Sequence, residues 1–341
     1  MAVMTWRPTT GWFHSKVGPR ACVLLLVATA AAAESPKPDC RPEPLASTEI
    51  GAGDPVLIPV EYGGQAVWMA LDLGSPFSLV WPSAVEPLHL RTQTLDSRPG
   101  EFLLSIAGQP VTTTVAVESL TIGAYRISRR DLFVDPRSRS PESAPARTVL
   151  GSLGMRELWP VDFELDLAHR RFNLYSANHC PNAVANAWTH VSRIPMELNE
   201  FGNVLFPIEL NGSKLVASIS TSNWDTSMST DVSRQVFGFD EHSADVQVQL
   251  DVQGHSRGYF RSMALASGDL QLPNLAVRLT PAHRECTLSS SGTFGDVAEF
   301  KGRGDHLCFG TYPLVLGRSA LEHMRIYFAT KEKIIYFAPS Q

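Results

Sequence analysis

Two stretches of this chain repeat one another without a gap, and that duplication constrains the fold more than any other feature. Gly64-Gln-Ala-Val-Trp-Met-Ala-Leu-Asp72-Leu-Gly-Ser75 and Gly212-Ser-Lys-Leu-Val-Ala-Ser-Ile-Ser220-Thr-Ser-Asn223 each run from a turn glycine through an apolar strand into a polar tripeptide, which begins eight residues after the glycine in both. A short helix is expected at matching distance after each, near Pro82 and Thr230. The two halves also close alike: Val149-Leu150-Gly151 and Val315-Leu316-Gly317 each lead to a short helix and then a hairpin, at 166–175 and 327–336. A chain of 341 residues exceeds one typical core and suits two lobes of roughly 100–200 residues each.

The local patterns read as strands almost throughout. Apolar or alternating runs at 56–60, 67–71, 112–120, 171–175, 204–210 and 334–338 are bounded by Gly, Asn, Asp and Pro turns. Helical periodicity is confined to short segments at 83–88, 154–158, 230–237 and 318–324. The expected class is therefore all-β. With 44% hydrophobic and 18% charged residues the composition is that of an ordinary globular protein. A net charge of -5, with Lys and Arg scattered, gives no footprint for a nucleic-acid partner.

At the N-terminus Arg7, Lys16 and Arg20 precede an apolar run at 21–33 that acidic Glu34 ends. This is the layout of a secretory signal peptide with an Ala-x-Ala cleavage site after Ala33. The run is shorter than the roughly 20 residues that span a bilayer, so export to the periplasm or the extracellular space is expected, with no membrane contact after signal removal. Of the five cysteines, Cys22 leaves with the signal, and Cys40, Cys180, Cys286 and Cys308 remain. An even number in an exported chain points to disulfides. Of the three pairings, proximity favours Cys286–Cys308, which leaves Cys40–Cys180. The competing zinc set, His283, Cys286, His306 and Cys308, has irregular spacing for such a site, so no metal and no cofactor is expected. The organisation reads as a signal peptide at 1–33, a Pro-rich N-terminal arm at 34–49, a first lobe at 50–176, a linker at 177–193 and a second lobe at 194–341.

An apolar strand, Asp72-Leu73-Gly74-Ser75, a second apolar strand, and an apolar pair with glycine before a short helix together resemble one lobe of the pepsin-like, retropepsin-related aspartic proteases. Two tandem copies resemble the bilobal members over residues 50–339. The resemblance implies two β-barrel-like lobes with a long cleft between them. It also implies a catalytic aspartate from each lobe, the two sharing a proton so that one activates water while the other polarises the peptide carbonyl. Asp72 takes the first position, Gly74 permits the tight turn, and Ser75 is expected to orient the carboxylate. Ser220-Thr221-Ser222 stands where the family has Asp-Thr-Gly, so the second acid is lost, since a serine hydroxyl cannot share a proton as a carboxylate does. Leu73 replaces the usual Thr, and Thr221 alone retains the hydroxyl that bonds across the lobe junction. Asp225-Thr226-Ser227 is the alternative source of a second aspartate, at the cost of a five-residue insertion.

The resemblance further implies a flap over the cleft, best matched by a hairpin at 101–112 with Ile106 and Gly108 near its tip. Gly74, Ser75, Ile106, Gly108, Thr221, Ser222 and Trp224 are thereby expected to line a ligand. No His-Glu-x-x-His and no Gly-x-Ser-x-Gly is present, which leaves zinc-peptidase and serine-hydrolase chemistry without support. The sequence thus predicts an exported, degenerate family member that binds extended peptide or protein segments without efficient hydrolysis. The alternative is an active aspartic endopeptidase with Asp72 activating water.

Overall fold

The computed structural model describes residues 40–95, 105–106, 109–137, 147–199, 202–240, 242–244, 246–250, 256–267, 270–280, 286–289, 299–302 and 312–340. The expected signal peptide, residues 34–39 of the arm, the hairpin tip at 107–108, His283, His306 and Cys308 lie outside these residues.

Two large sheets carry the two halves. In the first, strand Gln65–Leu71 lies between strands Leu57–Tyr62 and Val149–Leu153, within a seven-stranded sheet that Thr113–Ile122 closes back onto Leu57–Tyr62. In the second, Ser213–Ile219 lies between Val204–Leu210 and Leu314–Leu316, within an eight-stranded sheet that Ser256–Ser267 closes back onto Val204–Leu210. In both, the strand before the polar tripeptide pairs antiparallel with its predecessor and parallel with a strand from the end of the half. The four helical segments stay short: Pro82–Val85, Met155–Leu158, Arg318–Leu321, and Thr230–Val232 continuing as a π-helical turn at Ser233–Phe237.

The duplication holds, but its closing motif has a different register from the one the sequence suggests. Asp72 N donates to Leu153 O and Ser220 N to Leu316 O, each at 2.9 Å. The counterpart of Leu316-Gly317 is therefore Leu153-Gly154, and not Leu150-Gly151. A register shift between Val149 and Gly151 accommodates the extra residues. Gly154 and Gly317 have nearly the same backbone angles and each begins a helix. Both glycines are required by close approach. A Cβ at Gly154 would come within 2.5 Å of the Phe77 carbonyl, and one at Gly317 within 2.2 Å of Asp225 O.

A third sheet joins the halves. Its strands run in the order Pro44–Glu49, Arg171–Tyr175, Asp162–Asp166, Met324–Ala329, Ile334–Pro339 and Ser192–Pro195. The period-2 alternation of a strand explains how it is built. Phe163 and Leu165 turn into the main apolar core, where Phe163 stacks on Phe328 at 4.2 Å. Asp162, Glu164 and Asp166 occupy the other face and are all buried. Each is satisfied: Asp162 by His179, Tyr327 and Thr330, Glu164 by Tyr175 and Arg325, Asp166 by His169 and Ser340.

The segment expected as a plain linker contains the helix Ala183–Ala187 and ends inside the third sheet as strand Ser192–Pro195. Cys40 and Cys180 form a disulfide across a sequence separation of 140. In the chain-entropy account, closing a loop of that size is worth about 5 kcal/mol. His179 beside it is buried, with Nε2 2.6 Å from Asp162 Oδ2 and Nδ1 2.9 Å from Cys180 O. Burial works against the charge of this imidazole. The Cys180 carbonyl and the carboxylates of Asp162 and Glu332 outweigh it, so the His179 pKa lies above the ordinary histidine value. Among the described residues no helix is long and apolar enough to cross a membrane.

Candidate functional site

The two polar tripeptides meet at the junction of the lobes. Thr221 is fully buried, and its Oγ1 donates to Leu71 O at 2.6 Å and accepts from Leu73 N at 3.0 Å. One threonine thus ties the second lobe to both sides of Asp72. The reciprocal tie is missing because Leu73, only 2% exposed, is packed into the apolar core. Gly74 lies against Ser220, whose Oγ would be 3.1 Å from a Cβ at that glycine. On the other side Asn203 Nδ2 donates to Gly74 O at 3.0 Å.

Asp72 is half-buried, and the side chain that reaches it from the second lobe is a hydroxyl: Ser222 Oγ donates to Asp72 Oδ1 at 3.1 Å. Ser220 Oγ lies 3.1 Å from Ser222 Oγ and accepts from Asn223 N at 3.2 Å. The backbone makes Ser220 the equivalent of Asp72. Gly154 N donates to Ser78 Oγ and Gly317 N to Thr226 Oγ1. Met155 N and Arg156 N donate to Ser75 O and Pro76 O, just as Arg318 N and Ser319 N donate to Asn223 O and Trp224 O. One offset of 148 residues relates every pair of loop positions: Asp72 to Ser220, Ser75 to Asn223, Pro76 to Trp224 and Ser78 to Thr226. On this correspondence Asp225 is the partner of Phe77, and its carboxylate faces Arg278 at 3.4 Å. The alternative second aspartate is thereby removed.

A cavity of about 180 Å³ opens over the pair, with Asp72, Gly74, Ser220, Ser222 and Asn223 on its wall. Of the residues expected to line a ligand, Gly74 and Ser222 come together with Asp72 on this wall. Others do not. Thr221 is spent on the lobe junction. Ser75 Oγ donates to Phe77 O at 2.9 Å rather than to the carboxylate, closing a local turn instead. Trp224 is 52% exposed and stands off the cavity wall, with the Arg318 guanidinium 5.2 Å from its ring centre. Arg318 in turn reaches Asp54 of the first lobe at 2.7 Å, so this Trp–Arg pair serves contact between the lobes. Strands Ser105–Ile106 and Gln109–Pro110 pair as the expected hairpin, with Gly108 outside the described residues.

Sequence reading missed Tyr312, Asn199 and Asn203. Tyr312 lines the same cavity as Asp72, and its hydroxyl accepts from Asn199 Nδ2 at 3.1 Å. Asn203 N donates to Asn199 Oδ1 at 2.9 Å, which links Tyr312 through one turn to the Gly74 carbonyl. Among the described residues no group of three or more His, Cys, Asp or Glu is arranged to hold a metal ion.

Residues 58–156 match the family model described as aspartyl protease. The match lies within the first lobe. Its matched segment includes Asp72-Leu73-Gly74-Ser75 and runs through Gly154 to the first residues of the following helix. The second lobe repeats these loop-to-helix contacts around Ser220, and the whole is an all-β bilobal fold. Similar solved structures include basic 7S globulin from soybean, 12% identical over 87% of this chain and 96% of that one, with a TM-score of 0.49. Others are an aspartic proteinase from Irpex lacteus, 10% identical over 86% and 97% with a TM-score of 0.48, and conglutin gamma, a basic 7S globulin from lupine seeds, 14% identical over 88% and 96% with a TM-score of 0.46. A search of the curated proteins finds no match to the chain.

Proposed function

We propose that this chain is an exported, degenerate member of the pepsin-like aspartic proteases that binds extended peptide or protein segments between its lobes without hydrolysing them efficiently. The observation that carries the reading is the contact at Asp72. The group meeting it from the second lobe is the Ser222 hydroxyl, and the position equivalent to Asp72 is Ser220. Aspartic hydrolysis needs a base for water and an acid for the carbonyl. Asp72 can serve as the base, and serine hydroxyls at that distance cannot supply the acid. Loss of one member of a catalytic unit commonly costs several orders of magnitude in rate. A cavity opens over Asp72 and Ser220 where the two halves meet, and a strand-like peptide entering there would gain backbone hydrogen bonds. The Cys40–Cys180 disulfide favours an oxidising compartment.

The test is incubation of the mature protein with a mixture of blocked, unstructured decapeptides from pH 3 to 7, beside Asp72→Asn, with products read by mass spectrometry and retention measured on the immobilised protein. Retention without cleavage is the expected result. Cleavage that disappears in Asp72→Asn would replace this reading with that of an active aspartic endopeptidase using Asp72 to activate water.

A further inference from the structure

Tyr312 lies two residues before the strand Leu314–Leu316 that closes the second lobe, and nothing in the aspartate motif calls for it. Its ring packs on Leu205 and Val216, both buried, and this fixes its direction. Its oxygen accepts one hydrogen bond, from Asn199 Nδ2, and the phenol's own hydrogen has no acceptor among the described residues. A phenol can donate as well as accept, so this group keeps a donor in reserve. The wall it shares with Asp72 bounds only about 180 Å³, room for roughly six waters at about 30 Å³ each. Asp72 and Tyr312 thus face one small shared space. Burial raises the Tyr312 pKa to about 12, with the Asn199 hydrogen bond opposing only in part, so the donor is present at every ordinary pH.

We infer that Tyr312 is a ligand-contacting residue and that the cavity recognises an amide group, whose carbonyl oxygen accepts from the Tyr312 hydroxyl while its N–H donates to Asp72. A carboxylate and a hydroxyl donor in the lining of one cavity match the two ends of one amide, whether from peptide backbone or from a side chain. Asn199 and Asn203 act as positioning residues, holding the phenol in register with the Asp72 loop through Gly74. The inference rests on the peptide-binding reading and adds to it the group that is read.

The experiment uses the full mature chain labelled with ¹³Cζ-tyrosine, the same blocked decapeptide mixture as probe, and Tyr312→Phe, which keeps the ring and removes only the hydroxyl. The Tyr312 resonance is the one missing from the variant. The expected result is that this resonance shifts on adding the mixture, and that retention weakens by about 3- to 10-fold in Tyr312→Phe, the size of one hydrogen bond. An unmoved resonance with undiminished retention by the variant would overturn the inference and leave peptide binding standing. Absence of retention by the wild-type chain would sink the peptide-binding reading, and this inference with it. Should the variant fold poorly, Asn199→Ala, which removes the hydrogen bond to the phenol, identifies the resonance by its shift, and the response of that resonance to the mixture decides.

Discussion

The loops at 72–75 and 220–223 have the same backbone and opposite chemistry. Each accepts two helix N–H groups on the carbonyls of its third and fourth following residues, and each begins with an N–H donated to a leucine carbonyl of the closing strand. One presents a carboxylate and the other a pair of hydroxyls. The comparison teaches that the loop shape does not depend on the acid. Glycine at the close approach, a Ser or Thr six residues on, and helix N–H groups hold the turn. That frame carries a carboxylate in one loop and hydroxyls in the other.

The change that breaks the comparison most is Ser220→Asp. A carboxylate at the position equivalent to Asp72 restores a proton-sharing pair, and acid-side cleavage of the decapeptide mixture should rise by at least about 100-fold over the wild-type chain. The activity should fade as the shared proton is lost toward neutral pH. If Ser220→Asp folds and cleaves nothing, the equivalence of the two positions is backbone-deep only. Next in size are Gly154→Ala and Gly317→Ala. Each drives a methyl into a backbone carbonyl, so each should cost about 2–3 kcal/mol in urea unfolding. A large difference between them would show that the two turns are not equally rigid.

Thr221→Val sharpens the asymmetry. It leaves the Leu71 carbonyl and the Leu73 N–H without their buried partner, a loss of about 2 kcal/mol. Leu73→Val, its counterpart, changes packing alone and should cost about 1 kcal/mol by the same measurement. The smallest effect is expected at the third sheet. His179, facing Asp162, Glu332 and Tyr327, has a raised pKa in the folded chain. Its contribution is therefore complete below the unfolded-state histidine pKa and is lost as pH rises through the folded value. The urea midpoint of the wild type should fall, relative to that of His179→Asn, as pH rises above the ordinary histidine value. Parallel curves would remove the imidazolium from the account.

Much of this was legible in the sequence because the repeat is carried by spacing. The gap-free run from Gly64 to Asp72 and from Gly212 to Ser220 fixes strand length and turn, and strand alternation fixes the faces. The closing motif was misregistered because Leu150-Gly151 and Leu153-Gly154 are the same local word, and only the bond from Asp72 N to Leu153 O distinguishes them. Ser75 was assigned to the carboxylate on family pattern, whereas Phe77 O offers its hydroxyl a nearer acceptor. Tyr312, Asn199 and Asn203 carry no motif. They matter through contacts between segments more than a hundred residues apart, which periodicity does not encode.

The third sheet has a consequence for the order in which the molecule is made. Strand Asp162–Asp166 emerges well before its neighbour on one side, Met324–Ala329. Until that segment arrives, Asp162 lacks Tyr327 and Thr330, and Glu164 lacks Arg325. A nascent first lobe therefore carries an unfinished edge, with two acids short of partners, until strand Met324–Ala329 pairs with it.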